Sequence, residues 1–271
     1  MKTANWLKKP FAGFTDYATE IDATLIAVAL SIGSVARQYS NDDRNEPTAT
    51  ELASPTMDPE YLQVLKVVGP MAKLIREGGY QNLYTHATID YWASLEALME
   101  DVLVAYVMKD ESVRQNSNFE KIEIRLVDYD GLDATGRARY LIDALRSSRD
   151  GTAKSAVEQY ESTLSKLKIN GPLDSELRRT LIEMQQQRNI IIHNSSIVDR
   201  RFVKACPWIS VQLGQKRSVT SEDFLRFSTA CRQYAWTVHC RFCEHYGLPL
   251  PEFKHGIGSL GQNDFNPRRQ Q

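Results

Sequence analysis

Glycine and proline are scarce in this chain, 14 and 10 in 271 residues, and long stretches hold neither. A sandwich of short strands needs turn residues at close intervals, so the scarcity argues for helices. Cysteine is scarcer still: Cys206, Cys231, Cys240 and Cys243 are all bunched in the last quarter. That placement excludes a disulfide framework and suits a reducing cytoplasm. An excess of one charge is also missing. A formal net charge of −1 supplies no bulk positive field, so any contact with nucleic acid has to be local. There is no Gly-rich phosphate loop, no serine nucleophile elbow and no acidic metal cluster. What is present, 42% hydrophobic and 25% charged residues, is an ordinary globular composition. The length fits one large domain or a domain with extensions.

One apolar run stands out. Residues 23–36, "ATLIAVALSIGSVA", follow Lys2, Lys8 and Lys9 and end in small residues, much as a signal peptide does. Asp16, Glu20 and Asp22, however, put acid directly before the run. It is also shorter than the about 20 residues that span a bilayer. It reads as a buried or partner-facing helix, with no membrane role.

The chain divides into an N-terminal apolar helical segment (1–38), a polar, Pro-bearing linker (39–59), a helical body (60–246) and a poorly ordered tail (247–271). In the body, "EYLQVLKVVGPMAKLIREGG" predicts two short helices broken at Gly69-Pro70, the second stopped by Gly78-Gly79. The longest helix runs through Tyr91, Leu95, Leu98 and Val102, which recur at three and four. "RARYLIDALRSS" and "SAVEQYESTLSKLK" are amphipathic, with turns at Gly131, Gly151 and Gly171-Pro172. A helix from about Leu173 to Asn194 comes next, and then another from about Ser221 to His245 that Thr220 or Ser221 caps, with Glu222 and Asp223 in its first turn. Between those two, "PWISVQLGQKRSV" is a short β-hairpin or an irregular loop. No internal repeat is visible.

The chemistry concentrates in "QRNIIIHNSSIVDR", Gln187 to Arg200. On a wheel of about 100° per residue, Leu177, Leu181 and Met184 form one stripe whose next member is Arg188. A guanidinium where periodicity asks for leucine is costly unless an anion meets it. Asn189 and His193 share a face one turn apart, and Arg188 is close enough to swing its side chain toward them. Ile190, Ile191 and Ile192 anchor the segment in apolar packing. A lasting cation, an amide and an imidazole are the groups that metal-free phosphodiester chemistry in RNA requires. A base removes the 2′-OH proton, an acid protonates the leaving 5′-oxygen, and a guanidinium stabilises the phosphorane charge. The alternative use of the same residues is structural, with Arg188 paired to a buried acid and His193 ending the helix at its negative pole.

Arg188-Asn189-Ile190-Ile191-Ile192-His193 resembles the Arg-x4–6-His motif of the HEPN (higher eukaryotes and prokaryotes nucleotide-binding) superfamily, in which a polar residue comes directly after the Arg. "HNSSIVDRRFV" is similar to the stretch just downstream of the motif in bacterial HEPN nucleases, with Ser195-Ser196 in a turn that often holds glycine. "YWASLEALMEDVLVAYV" looks like the first core helix of such domains, bearing an acidic residue, here Glu96. The resemblance spans about Leu83 to Tyr246. It implies an all-α, HEPN-like bundle that homodimerises and brings two motifs to a shared RNA-cutting cleft, without metal or cofactor. Many members are toxins or defence and stress ribonucleases, so an antitoxin or regulatory protein is an implied partner. His193 is then the acid/base, Arg188 the transition-state cation and Asn189 an orienter of phosphate or of His193. Glu96 would orient the Arg or the His across the bundle.

A second match, Arg232 with His239, lacks the helix-end position and the downstream Val-Asp pair. Arg200, Arg201 and Lys204, just past the motif, would steer an RNA backbone toward the cleft; otherwise they are a solvated cluster. Arg178-Arg179 and Lys216-Arg217 are weaker forms of the same idea. "HCRFCEH" invites zinc at Cys240 and Cys243, but its ligands lie within one continuous helix instead of flanking a turn, so it reads as core. Two further functions share the fold: a catalytically inactive dimeric adaptor, and the binding subunit of a nucleotidyltransferase pair.

Overall fold

Amphipathic helices without strand partners close a core by packing on one another. The computed structural model describes residues 5–42, 59–120, 122–147 and 155–253, and it is an all-α bundle. Most of the 39–59 linker, the Gly151 turn and the tail beyond 253 lie outside the described residues.

The centre is α3 (Gln81–Lys109). Its sequence stripe continues around the helix: Tyr91, Leu95, Leu98 and Val102 are buried, and so are Trp92, Met99, Leu103 and Val107. A helix apolar on two faces is covered on two sides. After a short 3-10 turn at Asn5–Leu7, α1 (Lys8–Asp42) lays Phe11, Phe14, Ala18 and Ile21 into the same core. On the other flanks lie α7 (Ala134–Ser147), α9 (Ser175–Asn194) and α11 (Ser221–Tyr246). Three short helices, α4 (Glu111–Arg114), α5 (Ser117–Glu120) and α6 (Leu126–Asp130), link α3 to α7. The expected Thr220 cap is present, and α8 (Ala156–Lys166) has a cap that the sequence reading did not name. Ser155 and Glu158 form a capping box on α8, and Thr220 and Asp223 form one on α11.

Two buried ion pairs weld elements together. Arg232 of α11 meets Asp22 of α1 at 2.9 Å and donates from Nε to the Tyr91 hydroxyl of α3 at 3.1 Å. Arg241 meets Glu161 of α8 at 3.0 Å.

The expected break at Gly69-Pro70 does not occur: α2 (Pro59–Glu77) is continuous, with Pro70 inside it. Proline costs an internal helix about 3 kcal/mol, which packing along α1 outweighs here. Gly69 is part of the reason, since a Cβ there would collide with the Tyr39 ring of α1. The helix stops where Gly78-Gly79 predicts, with Gly79 and Tyr80 both left-handed.

By length and composition α1 alone is apolar enough to cross a membrane, among the described residues. Its first half is core, whereas Ile26 and Leu30 are exposed.

Candidate functional site

Asp174 begins α9, its carboxylate accepting from the amides of Glu176 and Leu177 at 3.0 and 2.9 Å. Leu177, Leu181 and Met184 are buried as their spacing requires. Arg188 comes next, half-buried, and Nη1 donates to Asn189 Oδ1 at 3.3 Å. Among the described residues no carboxylate meets Arg188, so the structure brings Arg188 and Asn189 together without an acid. One turn on, His193 is exposed and unbonded to either. The three isoleucines divide: Ile190 is buried, Ile191 packs on the main core, and Ile192 is 44% exposed.

The segment after α9 is held from both sides. Ser195 and Ser196 are left-handed (φ 50° and 65°), the conformation that favours glycine. The Asn194 side chain donates to the Ile197 carbonyl at 2.7 Å, and Ile197 bridges Lys216. Val198 N donates to Gln215 O at 2.9 Å, and Arg217 N to Ser196 O at 2.8 Å. The Pro207–Val219 stretch is thus an irregular loop with one isolated bridge, not a hairpin. Asp199 caps α10 (Arg200–Ala205), which folds back along α9. A second small core seals them: Ile190, Val198, Phe202 and Cys206, with Ile182 and Ile209 against it.

Sequence reasoning missed the charge cluster behind this end. Glu183 is 1% exposed and receives Arg217 at 2.7 Å and Arg226 at 2.6 Å. Gln187, fully buried, accepts from Arg217 Nη1 at 2.7 Å and donates to the Arg217 carbonyl at 3.0 Å. Glu183 and Gln187, polar residues one turn apart within a buried stretch, were the available signal. Their partners come from a loop and from α11, a pairing that only the fold makes. The cluster locks the loop beneath the motif.

Arg200, Arg201 and Lys204 are exposed on α10, with no ion pair among the described residues. Glu96 accepts from Trp92 Nε1 at 2.8 Å, one turn away on its own helix, and has no hydrogen bond to Arg188 or His193 among the described residues. The second match is structural. Arg232 holds Asp22, and His239 stacks on Phe11 at 4.0 Å, where burial lowers its pKa. His245 lies 3.3 Å from the Tyr106 hydroxyl. Cys240 and Cys243 are buried, and burial pushes the Cys240 thiol up to about 11. No group of three His, Cys, Asp or Glu is set to hold a metal among the described residues. A cavity of about 190 Å³ between α1, α11 and residues 251–253 is lined by Arg232 and His239 of the second match, not by Arg188, Asn189 or His193.

Compared with family models, with curated proteins and with solved structures, the chain finds no match.

Proposed function

We propose that this chain is a metal-independent endoribonuclease of the HEPN type, cleaving RNA by 2′-OH transesterification as a homodimer. The observation that carries the reading is Arg188. Arg146, Arg217, Arg232 and Arg241, each well buried, all meet carboxylates. Arg188, set at the end of a core stripe, meets Asn189 and no carboxylate among the described residues. A partly desolvated cation without a protein anion is poised for an anion brought by substrate.

In the reaction, one His193 takes the 2′-OH proton and the 2′-oxygen attacks phosphorus. Arg188 stabilises the charge of the phosphorane, and Asn189 holds Arg188 and a phosphate oxygen in register. The P–O5′ bond breaks as the leaving oxygen gains a proton from the second copy's imidazole, giving a 2′,3′-cyclic phosphate and a 5′-OH. A dimer supplies both imidazoles. Its support is the uncovered apolar rim at this end of α9: Ile192, Ile197, Val203 and Leu213, 39–59% exposed. Such an enzyme fits a cytoplasmic toxin, phage-defence or stress role, restrained by an antitoxin or regulatory protein.

The test is RNA cleavage in EDTA by wild type, His193→Ala, Arg188→Ala and His239→Ala. Wild type and His239→Ala are expected to cut, leaving cyclic phosphate ends, while the two motif variants stay folded and inactive. Ends bearing 5′-phosphate, or a dimeric wild type that cuts no RNA pool, overturn the reading; the latter outcome favours the adaptor or the nucleotidyltransferase partner.

A further inference from the structure

Trp208 sits where a packed core has no use for it. It is 40% exposed in the turn directly after α10, yet its neighbours are pinned: Cys206 is buried, Ile209 packs on the α9–α10 core, and Ile209 N donates to Cys206 O at 3.0 Å. The indole is therefore presented on a short, anchored turn. Arg179 lies over its ring, 5.7 Å from guanidinium carbon to ring centroid. One face of the indole is thereby backed by a cation, which orients and stiffens it.

Helix geometry fixes its position relative to the motif. Along α9, Arg179, Ile182, Gln186 and His193 fall within one stripe at about 100° per residue. Ile182 and Ile190 pack against the α10 side, so α10 lies along this stripe and runs back from the His193 end toward Arg179. Arg179, with Trp208 beside it, thus stands roughly 20 Å from His193 along α9, at about 1.5 Å of rise per residue. Between them α10 exposes Arg200, Arg201 and Lys204. A line of cations that ends at an exposed aromatic ring is the arrangement by which proteins hold a single strand, with phosphates on the cations and a base on the ring.

We propose that Trp208, backed by Arg179, is a base-stacking subsite for single-stranded RNA a few nucleotides from the cleaved bond, with Arg200, Arg201 and Lys204 carrying the intervening backbone. This rests on the endoribonuclease reading and extends it to a substrate class. A base in a duplex is already stacked and paired, so the subsite discriminates against double-stranded RNA.

The experiment measures binding of a labelled, unstructured oligoribonucleotide and of a hairpin duplex to full-length protein carrying His193→Ala, with Trp208, Trp208→Ala or Trp208→Phe. Trp208→Ala should weaken single-strand binding about tenfold or more and leave duplex binding unchanged, and Trp208→Phe should keep most of the affinity. In the His193 chain, Trp208→Ala should raise KM and spare kcat, because a remote subsite binds substrate and transition state alike. If Trp208→Ala binds and cuts single strands as well as its parent, the subsite is overturned while the nuclease reading stands. If Trp208→Ala instead dissociates the dimer and leaves affinity per protomer unchanged, Trp208 is a protein contact and the subsite is likewise overturned. If the parent neither binds nor cuts any RNA, both readings fall together.

Discussion

Arg188 and Arg232 begin the two Arg-x4–6-His matches, and their surroundings separate them. Arg232 is 6% exposed and meets Asp22, itself 8% exposed at the side chain, with Tyr91 completing the contact. Arg232→Ala takes the guanidinium from a buried carboxylate and should cost on the order of 3 kcal/mol. Arg188→Ala leaves no carboxylate behind and should cost less than about 1 kcal/mol. Urea unfolding of the two variants checks this; equal losses would mean that Arg188 is structural after all. Ser195 and Ser196 show a different residue-level departure. Their sequence does not announce a left-handed turn, and neighbouring backbone bonds hold them in it.

At the scale of elements, the N-terminal turn, α3 and α11 are joined by an aromatic cluster that also sets a pH limit. Trp6 stacks on Tyr106 at 5.9 Å, Phe242 meets both edge-on, and Tyr246 donates to Asp110 at 2.6 Å. Burial, helped by the Asp110 charge, pushes the Tyr106 hydroxyl up to about 12; burial and the Asp110 bond raise Tyr246 further. Unfolded tyrosine ionises near pH 10, so above about that pH the unfolded chain has lost protons that the folded one keeps. The stabilisation is complete below about pH 10 and is lost as pH rises toward the folded value of about 12. Denaturation midpoints should begin to fall near pH 9, where the unfolded chain loses thiol protons that buried Cys240 keeps, and fall more steeply above about pH 10, the second fall being shallower in Tyr106→Phe; a profile without the second fall would contradict the burial of the hydroxyl. Helix α2 shows how a neighbouring element overrides a local signal. Gly69-Pro70 reads as a break in isolation, and contact with α1 keeps the helix whole.

At the scale of the whole molecule, the proposed cleft requires a second copy, and the rim around His193 is where it would dock. Ile192→Glu should leave a folded monomer with Arg188, Asn189 and His193 intact and RNA cleavage lost, seen by sedimentation and cleavage assay. A monomer that still cuts would refute the shared cleft. The sequence by itself determined that the fold is all-α, most helix positions, the helix that ends at Asn194 with Arg188 displacing an apolar residue, and the Thr220 cap, because spacing and capping are local properties of the chain. Tertiary structure alone decided which arginines would find carboxylates: Asp22 with Arg232, and Glu183 with Arg217 and Arg226, are pairs remote in sequence that meet only when the helices pack. It likewise decided that Glu96 bonds to Trp92 on its own helix, and that Trp208 lies beside Arg179 on the side of α9 that carries His193. Periodicity records which face of a helix is apolar; it does not record which neighbour covers that face, and the covering neighbour is what gives Arg188 no acid among the described residues.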